Sequence, residues 1–331
     1  ADVPPLHLID LEDAEQMGKL YGQLRTQPLL IKAYLEGTIF PSTMAFASLK
    51  LSASGQELGG DLLFGRRLGF SGTPSDLLPE ELGRCQWARG DDGRMLHVLT
   101  DAAVMRHEVL DAAWDARSIL RRAATASPPL HALIDSGALV SGFTNAEAAA
   151  FLLAEGLAGM AACVFLDESG AKMVLMRDSL KVLRLDRCGV APEHRFTFFD
   201  HIHTTGTDIE QPPHAAAALT LSKDVTFRDL AQGAYRMRGI GAGQSVLLLV
   251  PPGVQQLIRE QAAAGSGESV DEREAWLRSL PPAAGAAQFL RDMCAWATLN
   301  SIGSEQVQLR LLCQQSQRNV WRKAAFRRLH A

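Results

Sequence analysis

From residue 131 onward, short apolar runs alternate with helical stretches. Ala132 to Ile134, Ala162 to Leu166, Lys172 to Met176, Lys181 to Leu185, Phe196 to Asp200, Ala216 to Leu221 and Ser245 to Val250 read as strands. Most are continuously apolar, as strands buried on both faces are. Asn145 to Ala154 and Phe227 to Met237 read as the helices between them, which predicts an α/β layer arrangement with a largely parallel sheet. Asp178-Ser179 is placed to form a local hairpin turn. Upstream, Asp101 to Ala124 shows helical periodicity through Val104, Leu110, Trp114, Ile119 and Leu120, and stops before the breaker Ser127-Pro128-Pro129. Residues 6–60 read as helices with a Ser/Gly-rich loop, and Leu68-Gly69-Phe70 reads as a strand running into the polar turn Ser71-Gly72-Thr73-Pro74. Beyond Pro252 the pattern is helical, interrupted at Ala264 to Gly267 and at Pro281-Pro282. The last stretch, Arg318 to Arg328, sets five basic residues around Trp321 and Phe326.

Composition narrows the class. With 331 residues, 47% of them hydrophobic, the chain has material for two domains or one large one. A net charge of -4 argues against coating nucleic acid through bulk charge and leaves a local groove open. Five scattered cysteines without a CxxC pair suggest neither a disulfide framework nor a zinc module, so reduced thiols in a cytoplasmic or nuclear setting are expected. No run of eighteen apolar residues and no signal peptide is present, so no membrane partner is expected. The start at Ala1 without Met reads as a fragment or a processed chain.

The chemistry concentrates after Phe199. Thr204-Thr205-Gly206-Thr207-Asp208 is a polar turn at a strand's carboxyl end: Gly206 permits close backbone approach, while Thr205 and Asp208 offer groups for a ribose or a partner loop. The alternative is a structural turn capped by Thr and Asp. Some thirty residues on, behind Gln232, come Arg236 and Arg238, whose guanidinium forks suit phosphate oxygens. Two apart on a helix, they would lie roughly 200° apart. One is therefore expected to face a phosphate and the other to form a salt bridge or an inter-lobe contact. Ser71 and Thr73 would couple nucleotide state to lobe movement. Gly239-Ile240-Gly241-Ala242-Gly243-Gln244 lacks the lysine of a phosphate-cradling loop and reads as a tight turn. In Asp200-His201-Ile202-His203, His201 stands where a water-orienting glutamate is needed, and the two histidines are expected on one side of a strand. No metal site is expected. Cys85, beside Trp87, is the candidate nucleophile for thiol hydrolysis, against a structural thiol.

Read together, Ser71-Gly72-Thr73, Thr204 to Asp208 and Gln232 to Arg238 resemble the coupling, fifth and sixth motifs of superfamily 2 helicases, in that order. With Leu133-Ile134-Asp135-Ser136-Gly137-Ala138, Ala218-Leu219-Thr220-Leu221 and Gly241 to Ser245, residues 62–255 resemble the uncharacterised helicase-like domain of very large fungal and protist proteins often labelled ubiquitin thioesterases. The resemblance implies a RecA-like second lobe (129–262) preceded by a helical segment (1–61) and a remnant of the first lobe with a linker (62–128), and followed by a helical extension (263–331). It implies catalytic Arg236 and Arg238, a nucleotide or inter-lobe role for Ser71, Thr73, Thr205, Gly206, Asp208 and Gln232, and ATP with Mg2+ only where a completing lobe supplies the P-loop. That lobe would be the rest of a larger polypeptide or a partner chain. Nucleic acid is a further expected partner. An inert scaffold module and part of a ubiquitin-directed thiol hydrolase are the alternatives.

Overall fold

All seven strands predicted from residue 131 onward form. The computed structural model of the protein describes residues 10, 12–24 and 91–329, within two units, Ala1–Ser52 and Ala53–Ala331. In the first unit, α1 (Ala14–Leu24) is started by Asp13, whose carboxylate accepts from the backbone N–H groups of Glu15 and Gln16.

The second unit opens with α2 (Asp91–Thr100), β1 (Met105–Val109) and α3 (Ala116–Ala124). It continues through β2 (Ala132–Ile134), α4 (Asn145–Glu155), β3 (Ala162–Leu166), β4 (Lys172–Met176), β5 (Val182–Arg184), β6 (Arg195–Phe199) and β7 (Ala216–Thr220). Then come α5 (Phe227–Ala234), β8 (Ser245–Val250), α6 (Pro252–Ser266), α7 (Val270–Ser279) and α8 (Pro282–Leu329). The eight strands form one sheet in the order β1-β8-β7-β2-β6-β3-β4-β5. All neighbouring pairs are parallel except β3 with β4 and β4 with β5, the meander whose hairpin was expected at Asp178-Ser179. This mostly parallel sheet flanked by helices is consistent with a RecA-like α/β fold.

Period-two alternation sorts the strand side chains between two cores. Ala132, Ile134, Ala162, Val164, Ala217, Leu219, Val246 and Leu248 face α2, α5 and the first half of α8, where Leu99, Leu230, Met237, Leu290 and Met293 complete the packing. Leu133, Cys163, Phe165, Phe196, Phe198, Ala218 and Leu249 face α3 and α4, against Ile119, Leu120 and Leu152. The helix starts are set locally. Capping boxes at Asp115/Ser118, Thr144/Glu147, Thr226/Asp229 and Ser269/Glu272 begin α3, α4, α5 and α7. Among the described residues no helix is long and apolar enough to cross a membrane.

Two expectations fail here. Asp101 to Ala124 is not one helical stretch: β1 lies inside it and pairs in parallel with β8 from Met105↔Val246 to Val109↔Val250. Of β1's side chains only Met105 is buried, so this edge strand shows neither alternation nor an apolar run. Its pairing with β8 and the tie from Arg122 to Glu108 (2.6 and 2.5 Å) hold it instead. The second failure is α5, which ends at Ala234 and not at Met237. Successive bonds from Arg236 N–H to the Gly233 carbonyl and from Met237 N–H to the Ala234 carbonyl replace the helical pattern, which lets Met237 turn fully into the core.

Candidate functional site

The chain leaves the sheet after Phe199. A 3-10 turn, His201–Thr204, replaces the expected strand continuation, so the two histidines do not share a strand face. The turn is held from within: His203 Nδ1 sits 2.6 Å from Asp200 Oδ1, Thr204 donates to the His201 carbonyl at 3.0 Å, and His201 Nδ1 reaches the Ser136 carbonyl oxygen at 3.1 Å. Each imidazole is thus spent on a different neighbour. Gly206, with φ +75, then reverses the chain toward α5 in a conformation that side chains resist.

That reversal sets the loop against the end of α5. Thr205 Oγ1 donates to Gln232 Oε1 at 2.9 Å. The Arg236 guanidinium donates to the Gln232 carbonyl at 3.2 Å and to the Thr207 carbonyl. Arg238 Nε donates to Asp208 Oδ1 at 3.3 Å, and Lys172 Nζ donates to the Asp208 carbonyl at 2.5 Å. The structure therefore brings Thr205, Gly206, Asp208, Gln232, Arg236 and Arg238 into one cluster. Ser71, Thr73 and Cys85 lie outside the described residues.

Because α5 stops early, the arginines are freed from helical spacing and both reach the same loop. Their environments still differ. Arg236 is buried, at 5% exposure, whereas the Arg238 and Asp208 side chains are 53% and 60% exposed. Burial, then the neighbouring Arg238 charge, lowers the Arg236 pKa below an ordinary guanidinium's, with Asp208 acting the other way. Among the described residues no carboxylate is hydrogen-bonded to Arg236: both acceptors are backbone carbonyls.

Both arginines line a pocket of about 490 Å³ whose other walls include Asp208, Glu210, Gln211, Gly239 and Gln244. Gln244, rejected as a phosphate-loop position, instead closes its turn. Its carboxamide accepts from Gly239 N–H at 2.7 Å and donates to the Pro212 carbonyl at 2.8 Å. Lys172 and Gln244 were missed as members of the cluster. The Gly-rich run before β8 hinted at Gln244, but no local signal ties Lys172, 36 residues away, to Asp208.

The floor beneath the cluster is stiff. Asp135, at the end of β2, accepts from Thr220 Oγ1 at 2.6 Å and from the N–H groups of Leu139 and Val140 at 2.9 Å. Gly137 N–H donates to the same Thr220 hydroxyl at 2.9 Å. Burial pushes the Asp135 carboxyl above the usual range, with these bonds and His201 pulling it back. Gly233 lets α5 sit close above this floor, since a Cβ there would fall 2.8 Å from Leu219 Cδ1.

Elsewhere the two buried cysteines, Cys163 and Cys294, do not resemble nucleophiles. Burial pushes the Cys163 thiol up and the Cys294 thiol up to about 12, opposite to the shift that activates a thiolate. No cluster of three or more His, Cys, Asp or Glu suited to a metal occurs among the described residues. Chemically, the cluster offers one buried and one exposed guanidinium at a concave surface, an arrangement suited to a multiply charged anion. No protein-family model, curated protein or solved structure matches this chain.

Proposed function

We propose that this chain is the nucleotide-responsive, RecA-like lobe of a helicase-like ATPase, contributing arginines to a triphosphate that a completing segment holds. The observation that carries the reading is Arg236. A buried cation is costly unless an anion compensates it, and among the described residues this one has only carbonyl dipoles bonded to it at the wall of a pocket. Phosphate oxygens fit that deficit. Arg238, exposed and held by a long contact to Asp208, is the group free to swing to the transferring phosphate, while Arg236 positions the loop. Thr205 and Gln232 fix the turn that carries Asp208 toward the ribose or the lobe edge. When bound, ATP with Mg2+ would supply the phosphoryl group, and the residues that cradle its phosphates and orient water belong to the completing segment. This chain by itself is expected to bind nucleotide weakly and not to turn it over.

The test is ATP binding by calorimetry, with Mg2+, for the chain and for its Arg236→Ala and Arg238→Ala variants. Loss of one charge-assisted contact should weaken binding by about tenfold or more. Undetectable binding throughout, or equal binding by all three, sinks the nucleotide role of this chain. An interaction module is a second reading, favoured by the exposed second half of α8.

A further inference from the structure

α8 runs for 48 residues, about 72 Å of helix. Its first half is built into the core through Leu290, Met293, Cys294, Trp296 and Ala297. From Ile302 to Leu329 every side chain described is exposed, including Val320 at 67% and Trp321 at 75%. The charge is as uneven as the burial. Six of the chain's 33 basic residues and none of its 37 acidic ones follow Glu305, so the residues up to that point hold 27 against 37. Five of the six are arginines: Arg310, Arg318, Arg322, Arg327 and Arg328, with Lys323 the sixth. They span about 27 Å along the helix.

We infer that this half of α8 is a docking surface for single-stranded nucleic acid. The inference is independent of the nucleotide pocket. Three features select that occupant. First, the segment is basic without acidic interruption, which calls for a polyanion, and arginine fits phosphate as a fork. Second, Trp321 stands among the cations with most of its surface open, and unpaired bases stack on such rings. Third, the geometry disfavours the rivals. At about 100° per residue, the order around the helix is Val320, Arg328, Trp321, Arg318, Leu329, Arg322, Phe326 and Lys323, so apolar and charged groups alternate and present no continuous apolar face to a lipid surface. Two copies side by side would set like charges against each other with no acid to relieve them.

The experiment is fluorescence anisotropy of a labelled oligothymidylate of roughly 20 nucleotides with the full chain. The comparison variant carries Arg318→Gln, Arg322→Gln, Arg327→Gln and Arg328→Gln, none of which touches the core. Binding at about 50 mM salt is expected for the wild type, with the slope of log K against log salt shallower by about 3 in the variant, near 0.7 per lost phosphate contact. Trp321→Ala should weaken binding about tenfold and leave the slope unchanged, which separates stacking from charge. Circular dichroism distinguishes loss of helix from loss of charge, and a charge-retaining variant with lysine at the same four positions should keep the wild-type slope. Binding of ATP should be the same in all these chains, so failure here leaves the pocket reading standing. Absence of wild-type binding, equal binding by the glutamine variant, competition by polyglutamate of matched charge as strong as by unlabelled oligonucleotide, or tighter capture by phosphatidylserine vesicles would each overturn the inference.

Discussion

The cluster around Arg236 and the second half of α8 both carry arginines, yet those arginines live under opposite constraints. At the cluster, the chain folds around the charge: Arg236 is buried, its donors are directed at the Gln232 and Thr207 carbonyls, and the floor beneath is cross-linked through Asp135 and Thr220. Along the outer half of α8 the described charges are all exposed, although the helix is continuous with a half that seats Leu290, Met293 and Ala297 in the core. One region uses a cation to order its own backbone. The other offers cations to whatever arrives. The difference shows that residue type alone says little about role, because desolvation decides whether a guanidinium is a structural tie or a contact in waiting.

The contrast within α8 should be the easiest to break. Met293→Ala, in the buried half, is expected to cost about 2–5 kcal/mol in urea unfolding. Val320→Ala, in the exposed half, should stay within about 0.5 kcal/mol. Comparable losses would mean that the outer half packs against something after all. The two arginines of the cluster come next. Arg236→Ala strands the Thr207 and Gln232 carbonyls and should cost about 1–3 kcal/mol. Arg238→Ala gives up only an exposed pair with Asp208 and should cost about 0–1 kcal/mol. Reversal of that order in chemical denaturation would undo the division of labour between them.

The smallest effect is a pH slope. His107 stacks on Phe289 with centroids 4.0 Å apart, and burial lowers its pKa from the usual 6.5. Below pH 6.5 the unfolded chain therefore takes up a proton that the folded chain refuses. The stability that neutral His107 contributes is present above 6.5 and is lost as pH falls toward the lowered folded value. His131, also lowered by burial, acts in the same window. Unfolding measured between pH 7.5 and 5.5 should show this slope reduced, though not abolished, by His107→Phe, and an unchanged slope would remove His107 as its source.

Much of the architecture was legible because burial wrote itself into the pattern. β3 is apolar at every position and β7 at all but Thr220, and both were readable from composition alone. β1 was not, because Arg106, His107 and Glu108 leave no apolar face and its stability comes from β8, whose sequence lies about 140 residues away. The cluster was legible as an association of Thr205, Gly206, Asp208, Gln232, Arg236 and Arg238, yet their geometry was not. Helical periodicity placed the arginines on opposite sides, and only the early end of α5, which also lets Met237 enter the core, turned both toward one loop. Likewise, strand alternation put His201 and His203 together, whereas Asp200 draws His203 into a local turn that alternation cannot describe. Lys172 joins the cluster through a contact with a backbone oxygen, which leaves no trace in residue type.

The sheet order also has a consequence for how the molecule is made. β2 sits in the middle with β6 and β7 as its neighbours, and those strands begin at Arg195 and Ala216. The meander from β3 to β5 pairs over short sequence separations and is available early during synthesis. β2 must wait, both edges open, until more than sixty further residues have emerged for one partner and more than eighty for the other. A chain halted before Ala216 would carry a short, wholly apolar strand with unpaired backbone on at least one side. The centre of the sheet therefore closes only when β6 and β7 come to lie on either side of a strand made well before both.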